Sequence, residues 1–262
     1  MAVLTITVLG SGTSMGVPTL GCDCKVCTSS DVRDSRLRPS IMVQSEGRTV
    51  LVDTTPDFRQ QALRESIHRI DAILFTHAHA DHIMGLDDVR PINLKQKGAI
   101  PLYGPPEALA TIRQAFAYAF ENVNHESTVP RLELRPVGLE RFDAAGITFE
   151  ALMLHHGKGR VYGYRFGDCA YLTDHSDIPA ETLERLHGLD VLFLDALRHK
   201  PHPTHTTLSQ ALKYVEELKP NRAFFTHISH DLPHDRTEST FPEGVHLAYD
   251  GLRIHVGHED AR

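Results

Sequence analysis

One six-residue segment constrains this chain more than any other: His77-Ala78-His79-Ala80-Asp81-His82, which follows directly on the apolar run Asp71-Ala72-Ile73-Leu74-Phe75-Thr76. The run reads as a buried strand. Four potential ligands in so short a stretch cannot all point one way from a regular strand or helix, because side chains there alternate or rotate around the axis. A loop at the strand's end must therefore wrap around something, and a metal is the obvious candidate. Neutral imidazole and carboxylate suit zinc, manganese or iron, and a pair of such ions needs more ligands than one segment supplies.

The same pattern recurs downstream. His155 and His156 follow an apolar run ending at Leu154, Asp174 follows Ala170-Tyr171-Leu172-Thr173, and His227 follows Ala223-Phe224-Phe225-Thr226. If these strands run in a common direction, all the polar residues gather on one rim of a sheet. Strands are expected over 4–9, 50–52, 72–75, 147–154, 162–166, 170–172, 191–194 and 223–225, and helices over 56–64, 107–120, 178–186 and 208–218. Segments 138–146 and 167–168 read as turns. The alternation implies a mixed α/β sandwich formed by one domain over 1–262, since the Pro-rich stretch 200–204 is too short to separate two.

No apolar run approaches the ~18 residues needed to span a bilayer, and the opening of the chain lacks the basic start of a secretory signal, which points to a cytoplasmic protein with no membrane partner. The formal charge of −7 disfavours nucleic acid as a partner, because affinity for that polyanion comes from Lys and Arg neutralising phosphates.

Three of the four cysteines crowd into Cys22-Asp23-Cys24-Lys25-Val26-Cys27, beside Gly21. That spacing suits a structural zinc held by a loop at about 21–27 rather than disulfides. A tetrahedral zinc wants a fourth ligand, for which Cys169 is one candidate, although a lone cysteine inside a hairpin is more often a small buried apolar residue. Gly10-Ser11-Gly12-Thr13-Ser14-Met15-Gly16 invites a dinucleotide-binding reading that fails, because Met15 replaces the third glycine and no helix start follows. It is expected instead to be a turn that brings backbone close to the metal rim.

The segment from His77 to His82 is similar to the HxHxDH signature of the metallo-β-lactamase superfamily, and His156, Asp174 and His227 resemble its remaining ligand positions. The resemblance covers nearly the whole chain and implies an αββα sandwich with a two-metal site on one edge, holding manganese or zinc, with iron as the alternative. It assigns His77, His79 and His156 to one ion, Asp81, His82 and His227 to the other, and Asp174 to a bridge. More narrowly, Gly21 to Cys27, Thr226-His227-Ile228-Ser229-His230 and the surroundings of His156 and His205 resemble the phosphoribosyl cyclic phosphodiesterases of the carbon–phosphorus lyase pathway. That implies a structural zinc on Cys22, Cys24, Cys27 and His230, a small-molecule phosphodiester as substrate, and catalytic roles for Asp81, Asp174 and His205. His205 would then be the general acid, with His202 its rival. The superfamily also makes a homodimer plausible.

The same metal signature serves transfer-RNA 3′ endonucleases, but the chain has no basic, Gly/Pro-rich arm of the kind they use to grip RNA. It serves thioester and lactam hydrolases too, so the metal ligands alone do not fix the reaction. Asp53-Thr54-Thr55-Pro56-Asp57-Phe58-Arg59 resembles the pyrroloquinoline quinone biosynthesis branch, some members of which have degraded metal signatures; here all four motif ligands are intact.

Overall fold

Alternate residues of the buried strands face different layers, and that alternation builds the molecule. In the computed structural model, which describes residues 3–121 and 128–257, Val50 and Val52 face one apolar cluster while Leu51 between them faces another. Leu192 and Leu194 are separated from Val191 and Phe193 in the same way. A strand buried on both faces must read as a continuous apolar run, which explains why these segments lack a polar face.

Strands β1 (Leu4–Gly10), β2 (Ser40–Ser45), β3 (Arg48–Val52), β4 (Ala72–Leu74), β5 (Ile100–Gly104) and β6 (Leu132–Pro136) form most of a first sheet. The second contains β7 (Arg141–Ala144), β8 (Ile147–His156), β9 (Gly159–Phe166), β10 (Cys169–Leu172), β11 (Val191–Asp195), β12 (Arg222–Thr226) and β13 (Val245–Leu247). The chain then returns as β14 (Arg253–Val256) to pair antiparallel with β1, completing seven strands in each sheet. Ile6, Val43, Phe149, Tyr164 and Phe193 fill the space between the sheets. On the outer face of the first sheet pack α1 (Phe58–Arg64), α2 (Ala80–Ile83), α3 (Arg90–Gln96) and α4 (Pro106–Ala115); on that of the second, α5 (Ala180–Glu184) and α6 (Leu208–Leu218), while α7 (His234–Glu238) contacts β13. This is the αββα arrangement expected.

Strand direction bears on the site. β10, β11 and β12 are parallel, and β8 runs the same way as β10 because both are antiparallel to β9. Their carboxyl ends therefore share one rim. In the first sheet β3 through β6 are likewise parallel.

Several boundaries differ from the sequence reading. β8 continues through His156, where its register still pairs with Gly159, so His156 is a strand residue rather than a loop residue. The expected helix 107–120 is two pieces, α4 and a short 3-10 turn over Ala117–Ala119, because Phe116 leaves helical geometry at φ −115°. The segment 138–146 contains β7 as well as a turn. β2, β5, β6, β13 and β14 were not anticipated either. Pro101 interrupts the strand signal of β5, and β6 is an edge strand with alternating exposure. Helix α6 falls on 208–218 as expected, its first turn capped by the Thr207 hydroxyl accepting from Gln210 N. Among the described residues no helix is long and apolar enough to cross a membrane.

Candidate metal centres

The ligand loop after β4 is set by a carboxylate that is not itself in the motif. Asp53, fully buried just past β3, accepts hydrogen bonds from Thr76 N at 2.9 Å and from the Thr76 hydroxyl at 2.9 Å. The hydroxyl proton is thereby committed, so Thr76 Oγ1 accepts from His77 Nδ1 at 2.9 Å. His82 Nδ1 donates to the same Asp53 at 2.7 Å. Both imidazoles have Nδ1 committed as a donor, so Nε2 is the nitrogen left to face a metal ion.

Asp174, just past β10, lies between the two sheets' contributions. Its Oδ2 is 3.8 Å from His77 Nε2 and 3.4 Å from His82 Nε2, and its Oδ1 is 3.1 Å from His227 Nε2. Donor atoms of His77, His79, His156 and Asp174 lie within 4.8 Å of one another, as do those of Asp81, His82, Asp174 and His227. Asp174 belongs to both groups.

The residues fit divalent cations on this structure's own terms. His82 Nε2, Asp81 Oδ2, His156 Nδ1 and both ring nitrogens of His227 are buried without a hydrogen bond, although His82 Nε2 and Asp81 Oδ2 are only 3.3 Å apart. Such close approach without hydrogen-bond geometry means that the lone pairs converge on a shared point, and buried polar atoms are otherwise expected to be paired. Electrostatics agree. Burial opposes charge on Asp174, but His227 and His82 outweigh it and hold the carboxyl well below its usual range. Burial likewise opposes charge on His227, yet Asp174 lifts it to about 9. His77 is driven well below its ordinary value, chiefly by burial with the charge of His82 adding to it. The pocket is built to hold positive charge beside Asp174.

Asp53, Asp174 and His227 also share a backbone feature, left-handed φ values of 65°, 55° and 58°. For residues with a Cβ this costs on the order of 1–3 kcal/mol each, and such strain concentrates where side-chain placement matters. Here it turns each side chain back onto the rim as its strand ends.

His205 stands over both groups. Its ring stacks on His227 at 4.5 Å between centroids and meets His156 edge-on at 5.1 Å. Behind it, Asp195 is fully buried and accepts from His205 Nδ1 at 2.9 Å, leaving Nε2 as the free ring nitrogen. His202 is 5.0 Å from His205 ring to ring, but its Nδ1 contacts the Thr204 hydroxyl at 3.1 Å, and among the described residues no carboxylate hydrogen-bonds it. Arg198 braces its own loop by donating to the carbonyls of Lys200 and Pro201, while His199 and Lys200 are exposed. His155 turns away from the rim to pair with Asp177 at 3.2 Å. Sequence reasoning missed Asp195 and the supporting role of Asp53; the signal was available, since each ends an apolar run just as Asp174 does.

The second centre lies in the long excursion between β1 and β2. Cys22, Cys24 and Cys27 place their Sγ atoms 3.4, 3.7 and 3.3 Å from His230 Nδ1. Three thiols and an imidazole in one group are the donor set of a tetrahedral structural zinc. The Cys27 N–H pointing at Cys24 is the main influence lowering the Cys24 thiol pKa, which favours the ligating thiolate. Cys169 is excluded as the fourth ligand: it is buried in the core between the sheets, where burial pushes its thiol up to about 12.

This knuckle is tied to the catalytic rim in two further ways. Ile228 N donates to Ser11 O at 2.9 Å and Thr13 N to Ile228 O at 3.1 Å, so the glycine-rich turn lies against the residue after His227, as expected. A Cβ at Gly12 would sit 2.7 Å from Arg36 O, which is why only glycine fits there. The buried Arg36 guanidinium donates to the carbonyls of Ser229 at 3.0 Å and Leu232 at 2.7 Å and pairs with Asp34 at 3.1 Å. Burial pulls its pKa down to about 10.

Fold and ligand set together define a metallo-β-lactamase superfamily protein, and residues 48–228 match the family described as beta-lactamase superfamily domain; the chain belongs to it. Within it the chain falls in the PhnP family, that of the cyclic phosphodiesterase of the carbon–phosphorus lyase pathway: the crystal structure of a new diphosphatase from this family is 52% identical, with a TM-score of 0.92 over 98% of each chain. A zinc-bound PqqB from Methylobacterium extorquens shares the fold, with a TM-score of 0.81 at 20% identity over 95% of this chain and 99% of that one. An octanoyltransferase of Porphyromonas gingivalis (strain ATCC BAA-308 / W83) is 39% identical over 258 residues, 97% of this chain but 52% of that protein. The chain spans about half the length, or less, of the first curated relatives it matches. It brings together the His and Asp residues of a cluster that could hold metal ions.

Proposed function

We propose that the protein is a two-metal hydrolase that cleaves a P–O bond in a small phosphorylated molecule, most directly a cyclic phosphodiester. The observation that carries the reading is His205, backed by Asp195 and set against a ligand from each metal group. His77, His79 and His156 would hold one cation, Asp81, His82 and His227 the other, with Asp174 shared and zinc, manganese or iron as candidates. Cations there supply an acidified water and charge neutralisation at the phosphoryl oxygens. The chain's own residues do the rest. Asp53 fixes the tautomers of His77 and His82, and Asp174 sets the separation of the two groups. With Nδ1–H donating to Asp195, His205 in its imidazolium form carries a second proton on Nε2 to give to the departing oxygen, as an alkoxide leaving group requires, and is left as the neutral imidazole. Cys22, Cys24, Cys27 and His230 would bind a structural zinc that steadies the turn carrying His227.

A second reading, hydrolysis of a diphosphate linkage, is supported by the 52% identical diphosphatase. Both use the same proton donor and differ in what is attached to phosphorus. Purified, metal-loaded protein assayed against bis(p-nitrophenyl) phosphate, cyclic phosphodiesters, nucleoside and sugar diphosphates, thioesters and lactams separates them. Turnover confined to thioesters or lactams would sink both.

A further inference from the structure

We infer that Arg36 is a positioning residue shared by both metal centres: its buried guanidinium fixes the backbone that carries His227 and His230. The His227 half of the inference rests on the two-metal reading above, whereas the cysteine knuckle stands apart from it. Segment 227–232 contains one candidate ligand of each centre and lies between β12 and α7, outside both. His227 there adopts a left-handed φ of 58°, so the shape of the turn has to be imposed by its neighbours.

The backbone groups of the two residues between the ligands can all be accounted for. Ile228 is held through its N and O by Ser11 O and Thr13 N, and Ser229 N donates to Leu197 O at 3.0 Å. The fourth group, Ser229 O, accepts from Arg36 Nη1 at 3.0 Å, the one side chain among these partners. Arg36 Nη2 donates to Leu232 O at 2.7 Å, so the guanidinium grips the chain on both sides of His230. Its aim is set by Arg33 O, which accepts from Nε at 3.1 Å, and by Asp34 Oδ1, which also accepts from His234 N at 2.8 Å. The Arg36 backbone exchanges hydrogen bonds of 2.7 and 2.9 Å with Val17, shortly before Cys22, and thereby ties down the excursion that brings in the three cysteines. Stability alone does not call for such a residue. Arg36 is among the largest fully buried side chains, and a buried ion pair can often be replaced by apolar groups of similar volume with little loss. Apolar groups offer no donors to the two carbonyls, so what they would forfeit is the shape of the turn.

The test compares wild type with Arg36→Met and Arg36→Lys as full chains loaded with cobalt, whose charge-transfer absorption reports thiolate ligation. Ion loss to a graded chelator is followed by elemental analysis. In Arg36→Met two ions should bind about tenfold or more weakly: the one at the knuckle, seen as loss of the thiolate absorption, and the one served by His227. The ion on His77, His79 and His156 should be held as in wild type. Arg36→Lys, which keeps the charge without the planar fork, should fall between the two. Unchanged retention, or an equal weakening of every ion as a general loosening of the fold would give, would overturn the assignment. Where the Arg36 variants do not fold, Asp34→Asn keeps an acceptor for His234 N but removes the charge that aims Arg36. It should weaken the same two ions by a smaller factor, and unchanged affinities there would also overturn the assignment. Should wild type bind no ion at the His/Asp centre, the two-metal reading fails by itself, and the thiolate absorption decides for Arg36: weakened cobalt binding at the knuckle upholds the assignment, and unchanged binding removes it.

Discussion

The two metal centres are built on opposite plans. The cysteine knuckle takes three of its four candidate ligands from residues 22–27, is partly open to solvent, and aims backbone N–H groups at Cys24 and Cys27, the first of which lowers the Cys24 thiol while burial still lifts that of Cys27 to about 11. The His/Asp centre draws on segments from His77 to His227, is largely buried, and backs key ligands with other side chains such as Asp53. A local knuckle can be made by spacing alone. A centre that must present converging lone pairs to a substrate needs strands from two sheets to end at one place. The plans meet in a single turn, because His227 and His230 are three residues apart.

That contrast can be broken by experiment. Asp174→Ala should empty the His/Asp centre, lowering turnover by about 10⁴-fold, as when a catalytic unit loses a central member. Elemental analysis should still find the zinc of the cysteine knuckle. His205→Ala should retain all metals and lower kcat by about 10²-fold on substrates with alkoxide leaving groups, with much less effect on p-nitrophenyl esters, whose leaving group needs no proton. Equal losses on both would refute the proton-donor assignment. Asp53→Asn removes the carboxylate behind His77 and His82 and should weaken metal affinity at that centre by about 10- to 100-fold, read by competition with a chelator. Cys24→Ser should give the smallest effect on turnover, under about tenfold, while losing one zinc and lowering the melting temperature. If it also emptied the His/Asp centre, the two plans would be one unit and the comparison would fall.

Much of this was readable beforehand, for a physical reason. Strands buried on both faces appear as apolar runs, and ligands at their ends stand out against them, so β4, β10 and β12 disclosed His77, Asp174 and His227. The knuckle disclosed three cysteines by spacing, whereas His230 came only through family resemblance. What stayed hidden was relational. β14 is recognisable only once β1 is in place, nearly the whole chain away. Asp53 and Asp195 ended apolar runs but supported ligands rather than joining them, and their partners Thr76, His82 and His205 are identified only by distance.

The order in which the pieces are made has a consequence for the growing polypeptide. Cys22 to Cys27 wait for His230, His77 to His82 wait for His227, and β1 waits for β14, so all three closures need a segment made long after its first partner. Until those later segments emerge, a nascent chain displays loose thiols and imidazoles and completes neither centre. Neither ligand set can be complete before residue 227 is made, and a ribosome that stalls short of it leaves a product that can assemble neither.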